Sequence, residues 1–303
     1  MTVPKWLMVV AVAGMATMWS TPVLAASHSK PAHKGGSSSS IIGNDISWPQ
    51  CGGSFPSGQA FGIVGVNDGK PNTLNPCLGT SSTNSVSQSE LNWAFTAASG
   101  VKTSEKPAQL YVNTADPGPV YNGTVISDWP SSSLSDPYGS CSSSDPIVGL
   151  DSTACAWQYG YNKAQQDAGW LATAAKSVSA SPAAGAYPWW LDVETGNTWQ
   201  SGNYGQAMNL ADLQGMVAFL QTGASVSQVG IYSTTSQWST ITGVSTPSQK
   251  ALSTLYGLNE WLPGARNQRQ AASNCNANSS FTGGAITTTQ WTGSYDYDYP
   301  CQG

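Results

Sequence analysis

From Pro188 to Leu191 the chain reads Pro-Trp-Trp-Leu, with no polar break, and then continues Asp192-Val193-Glu194. This stretch constrains the fold more than any other. A strand buried on one face alternates polar and apolar side chains. A short run with no polar residue is what a parallel strand needs when both of its faces are covered. Gly196 and Asn197 end the run. Residues i and i+2 of a strand point the same way, about 6.6 Å apart, so Asp192 and Glu194 face one space from one strand end. Close carboxylates repel when both are ionised, which raises the pKa of one of them. Such a pair can offer a proton donor and an anion at neutral pH. Taken alone, the same residues fit a solvated strand end whose acids merely start a loop.

Seven further stretches predict strands: Gly43 to Trp48, Ala60 to Asp68, Gln109 to Thr114, Gln228 to Ser233, Leu255 to Leu262, Ala285 to Trp291 and Tyr295 to Tyr299. Gly257 and Glu260 weaken the sixth strand in the series. Helical spacing of Leu91, Phe95 and Ala98 predicts a helix over Ser87 to Ser99. Trp157, Tyr161, Ala164, Ala168, Leu171, Ala175 and Val178 recur at three and four, and predict a second helix over Cys155 to Val178. A third is expected to start at Asn209 as N-cap, with Asp212 in its first turn and Leu210, Leu213, Val217 and Leu220 as its stripe. The stretch from Val120 to Thr153 reads as a long surface loop pinned by Cys141 and Cys155. Strands that alternate with helices imply a parallel sheet with crossover helices. Three final strands with little helix between them complete a count of eight. The expected fold is therefore a single α/β, TIM-like barrel of the (β/α)5(β)3 pattern, for which about 250 residues suffice. Sites in such barrels lie at the C-terminal strand ends, where Asp68, Asp192 and Glu194 fall in this reading.

The barrel is expected to span residues 41–303. Residues 1–25 read as a secretory signal: Lys5 opens it, Leu7 to Met18 is apolar, and Val23-Leu24-Ala25 suits cleavage. Residues 26–40 are a Ser-, Gly- and Lys-containing tether that cannot build a core. Six cysteines, at 51, 77, 141, 155, 275 and 301, form no CxxC pair. In an exported chain they point to disulfides, and sequential pairing is expected because each bond then closes a local loop. Both histidines, His28 and His33, lie in the tether. The barrel therefore has no histidine, which removes Ser-His-Asp and Cys-His catalysis and histidine metal sites together. Acid–base chemistry falls to carboxylates, with Tyr or Lys as the less favoured alternative, and no metal or cofactor is expected. A net charge of −5 with no basic patch argues against nucleic acid. Thirteen Trp and twelve Tyr supply aromatic faces suited to sugar rings, although most such rings in any protein are core.

These residues fall into motifs. The chain resembles the glycoside hydrolase family 25 lysozymes, the Chalaropsis-type muramidases. That family opens with G-x-D-(V/I)-S-x-x-Q, matched by Gly43-Asn44-Asp45-Ile46-Ser47-Trp48-Pro49-Gln50. Its apolar strand ends in D-x-E, matched by Asp192-Val193-Glu194, and its G-(I/V)-Y-(T/S) strand is matched by Gly230-Ile231-Tyr232-Ser233. Thr289-Gln290-Trp291 and Asp296-Tyr297-Asp298 resemble its closing W-Q-(Y/W) and D-x-(N/D) pair. The motifs run in order over nearly all of 41–303. The departures lie in strand two, Gly65-Val66-Asn67-Asp68-Gly69 where the family has K-A-T-E-G, and in strand three, Tyr111-Val112-Asn113 where it has Y-H-F.

The resemblance implies Glu194 as general acid and Asp192 as the group that orients the substrate's own acetamido nucleophile. It implies Asp45 as a holding acid and Asp298 as the fourth acid. Asp296 is the substitute, since alternation is read here as turning only one of the two inward. Trp48, Tyr232, Gln290 and Trp291 would line sugar subsites, with Asp68 in the place of the family's strand-two Glu. Glu90, Glu105 and Glu260 read as solvated surface acids. The implied activity is cleavage of the β-1,4 bond between N-acetylmuramic acid and N-acetylglucosamine by a secreted monomer free of the membrane. The alternatives are a catalytically silent glycan-binding barrel and a hydrolase of another envelope polysaccharide.

Overall fold

The computed structural model describes residues 41–97, 105–132, 136–143, 149–276, 278 and 280–301. The expected signal and tether, 1–40, lie outside the described residues. Eight strands close into one barrel: β1 Gly43–Ile46, β2 Gly62–Gly65, β3 Ala108–Asn113, β4 Trp189–Asp192, β5 Val229–Tyr232, β6 Asn259–Ala265, β7 Ile286–Thr292 and β8 Asp296–Pro300. Each pairs with its neighbours in sequence. β1 to β7 run parallel, and β8 runs antiparallel to both β7 and β1. The expected α/β barrel is the observed one.

The helices are distributed differently from expectation. α1 (Glu90–Ala97), α2 (Thr153–Ser177) and α3 (Gly202–Ala218) follow β2, β3 and β4. α4 (Thr235–Thr242) and α5 (Pro247–Leu252) follow β5, and α6 (Gln268–Asn274) separates β6 from β7. Only a single 3-10 turn, Trp48–Gln50, joins β1 to β2. α6 escaped notice because it has no apolar stripe, although Asn267 caps it by accepting from the Gln270 N–H. α3 starts seven residues before the expected cap. Asn209 is instead buried inside the helix, where it bonds the backbone of Gln200 and Ile241. Tertiary packing thus overrides two weak helix formers, Gly202 and Gly205. Asp212 lies in the third turn and is buried. A Cβ on Gly160 of α2 or Gly215 of α3 would stand 1.9 Å from a backbone oxygen of the facing helix. The two helix backbones touch there, and only glycine permits it.

Two apolar layers hold the barrel. Outward residues such as Leu110, Val112, Trp189, Leu191 and Ile231 pack beneath the helices. Inside, Phe61, Ile63, Trp190 and Trp261 fill the lumen, with Tyr111 and Tyr232 above them. Gly230 makes room for Trp190, whose ring would lie 2.3 Å from a Cβ there. The expected 120–153 loop contains a hairpin, Val120–Tyr121 with Thr124–Val125, and is fixed by Trp129 stacked on Tyr159. The disulfides are Cys51–Cys77, Cys141–Cys155 and Cys275–Cys301, the sequential set. Glu90 and Glu260 are not surface acids. Both are buried; Glu90 accepts from Asn75, and Glu260 accepts from Ser280 and Thr282. Glu105 is held by Gln109, and burial raises its pKa.

Candidate active site

Strand alternation decides what enters the lumen. Asp45 pairs across the ladder with Ile63 of β2 and with Asp296 of β8. Asp192 pairs with Asn113 and Tyr232. These positions share one face, so the mouth at the C-terminal ends of the parallel strands gathers acids from three strands. They line a cavity of about 260 Å3: Asp45, Asp192, Glu194 and Asp296 supply carboxyl groups, and Tyr111, Tyr232, Trp261, Gln290 and Thr292 supply the walls. No cation lines it.

One correction concerns the last strand. Asp296 and Asp298 are i and i+2, so both point inward; alternation separates neighbours, not next-neighbours. Asp296 stands at the open end and lines the cavity, while Asp298 lies one layer deeper, fully buried. Trp261 donates its indole N–H to Asp298 Oδ1 at 2.9 Å. The other carboxyl oxygen of Asp298 is buried without a hydrogen-bond partner, and the Asp45 carboxyl acts on Asp298 from close by. Two acids in contact share a proton. Burial, and then the charge of Asp45, hold the Asp298 carboxyl well above the usual range. Asp45 accepts from Gln290 Nε2 at 2.8 Å, and Gln290 Oε1 accepts from the Tyr232 hydroxyl at 2.9 Å. This relay fixes the Gln290 amide in one orientation. Burial and the nearby Asp296 raise Asp45 to about 7, against the lowering effect of the Gln290 and Asp298 hydrogen bonds.

Asp192 ends β4 in a different environment. Its backbone carbonyl accepts from the Thr114 hydroxyl at 2.6 Å, yet its Oδ1 is buried without a partner. Burial first, then Glu194 and Asp45, push its carboxyl well above the usual range. Glu194, two residues on and half-buried, opens onto the same cavity. The Glu194 backbone carbonyl accepts from the Trp199 indole and from the Asn197 N–H, which turns the chain away from the mouth.

The remaining expected residues divide. Tyr232 and Gln290 line the cavity; Trp48, Asp68 and Trp291 do not. Trp48 is 47% exposed on the 3-10 turn, its indole against Gly69. Asp68 sits in the turn after β2 and takes the Thr73 carbonyl on its own N–H. Trp291 follows inward Gln290 and therefore points outside the barrel. Tyr111 and Trp261 line the cavity without having been singled out. Their signal was available: each has the strand parity of an inward residue, Tyr111 opposite Trp190 and Trp261 opposite Tyr232. Where the family carries K-A-T-E, Asn67 instead clamps strand three, accepting from the Asn113 N–H at 2.9 Å and donating to its carbonyl at 3.0 Å. Among the described residues no three of His, Cys, Asp and Glu are placed to hold a metal ion, and no helix is long and apolar enough to cross a membrane.

No protein-family model, curated protein or solved structure matches this chain. The functional reading therefore rests on the residues at the mouth and on the motif resemblance they carry.

Proposed function

We propose that the chain is a secreted glycoside hydrolase of the muramidase type, cleaving the β-1,4 bond between N-acetylmuramic acid and N-acetylglucosamine. One observation carries the reading: four carboxyl groups from three strand ends line one aromatic-walled cavity. Glycosidic cleavage needs a proton for the leaving oxygen and negative charge near the oxocarbenium-like centre, and carboxyl pairs supply both. Glu194, which opens onto the cavity beside Asp192, acts as general acid on the leaving oxygen. Asp192 orients the acetamido N–H, while the acetamido oxygen closes on the anomeric carbon. Water opens that ring with Glu194 as base, which restores the proton to Glu194. Asp45, steadied by Gln290 and Asp298, holds the floor. Tyr111, Tyr232 and Trp261 give flat faces for sugar rings. The three disulfides fit an oxidising compartment such as the cell exterior.

A second reading, a silent glycan-binding barrel, draws on the Asn67–Asn113 clamp in place of the family's charged strand end. The test compares the chain with its Glu194→Gln variant on purified peptidoglycan, following new reducing ends and fragment masses. Muropeptides ending in N-acetylmuramic acid, lost in the variant, support cleavage. Binding without cutting by both proteins supports the silent barrel. Cleavage of a different envelope glycan keeps the enzyme and changes its polymer.

A further inference from the structure

The outer wall of the barrel carries a second cavity, of about 220 Å3, far too small for a drug-sized ligand but roomy enough for one ring. It lies over β8 and its neighbours β1 and β7. This wall lacks cover for a topological reason. β1 passes to β2 through a 3-10 turn and β7 to β8 through a hairpin, so no crossover helix lies over them. α6 packs against part of this wall, where the Thr289 hydroxyl donates to the Ala271 carbonyl at 2.8 Å. Beyond its first turn, where Gln268 lines the cavity, Trp291 and Tyr297 are half-buried and line the same cavity.

Trp291 and Tyr297 are cross-strand partners, and their rings stack with centroids 5.2 Å apart and planes within 13°. Together they make an apolar wall of the cavity. Beside them in the same cavity is Gln59, 2% exposed, with neither its amide nitrogen nor its amide oxygen hydrogen-bonded. Leaving a buried amide without partners opposes folding, and a primary amide offers two donors and an acceptor. Asn44, Ser57 and Gln268 also border the space, and no lining residue is charged. A ligand that suits this surface has an apolar face, a rim of hydroxyl donors and acceptors, and no net charge.

We propose that this wall is a glycan-binding site separate from the mouth, taking one neutral pyranose ring on the Trp291–Tyr297 stack with Gln59 as its hydrogen-bond partner. The site would hold a polymer against the outside of the barrel, and it does not depend on whether the mouth cuts. Tetramers of N-acetylglucosamine, glucose and xylose serve as probes. They are titrated calorimetrically into the full chain carrying Glu194→Gln, so that no probe is consumed. Adding Gln59→Met or Trp291→Ala is expected to weaken binding at one site by about tenfold or more, so that the number of sites falls by one. Gln59→Met keeps the volume and removes the unpartnered amide, so it should also raise Tm by about 2–4 °C. That rise guards against mistaking a folding defect for lost affinity. The proposal is overturned if both variants bind as the parent does, or if no tetramer binds the parent. Cleavage is scored separately on peptidoglycan with the unsubstituted chain, so a failure there leaves this result legible.

Discussion

Asp45, Asp192 and Asp298 at the barrel mouth are matched by a second group of acids on the outer side, where Asp116 borders Asp212 of α3 and Asp167 of α2 lies near Lys163. Burial raises the carboxyl pKa in both places. In the outer group the surroundings are protein. Lys163 is buried and bonded to Asn72 and Asp128, Gln200 donates to Asp116, and the α2 and α3 backbones are in contact. At the mouth Asp45 and Asp192 front open space walled by aromatic rings, with Asp298 buried one layer beneath. A raised pKa therefore reports burial, and only the adjoining cavity separates a chemical site from a packed one.

The sharpest way to break this comparison is to neutralise one acid in each region. Glu194→Gln should lower glycan cleavage about 10²–10⁴-fold, the usual worth of a general acid. Asp212→Asn should leave cleavage within about twofold, read as reducing ends from the same substrate. An equal loss in both would erase the distinction.

Stability should respond next. Burial raises Asp116 from 3.8 to about 7, so between those values the folded chain keeps a proton that the unfolded chain has released. The contribution of this group to stability is full below pH 4 and falls until pH passes 7. Asp116→Asn keeps the acceptor used by Gly118 and Gln200 and removes the charge. It should stabilise by at most about 4 kcal/mol at pH 8 and by nothing at pH 4, seen as a Tm gap that opens with pH. Asp45→Asn should show the same sign over the same window, since Asp45 is also raised to about 7, but with loss of activity.

Lys163→Met should cost about 2 kcal/mol in urea unfolding, below the range for a fully buried pair because Asp128 is 41% exposed. The smallest effect belongs to Gln290. Its hydrogen bond lowers the Asp45 pKa, so Gln290→Met should move the alkaline limb of a kcat/KM profile upward by about one unit or less. A limb that stays in place would detach Asp45 from the rate.

Much of the barrel was legible because its strands are short apolar runs ended by Gly, Asn or Pro, β2 and β4 above all. Glu260 was misread because a carboxylate inside a strand pattern looks solvated; here Ser280 and Thr282, twenty or more residues on, supply its donors. Such partners leave no local trace. Asp192 and Glu194 were legible as a pair from spacing alone, and Asp45 from the motif. The depth of Asp298 beneath Asp296 was not, since it depends on register with β1. Trp291 was expected at the mouth but lies on the outer face, because neighbouring residues in a strand part company across the sheet.

The antiparallel last strand has a consequence for how the chain is made. β8 fills the gap between β7 and β1, and the pairing of Asp45 with Asp296 joins positions about 250 apart. Loop closure over that distance comes late in folding. Until residues 296–300 have been synthesised, the barrel keeps two unpaired edges and the floor of the mouth lacks Asp298. The ribosome therefore delivers the fold's closure and its deepest acid in the same short stretch. A nascent or truncated chain that stops before them is an open sheet, prone to edge-to-edge association.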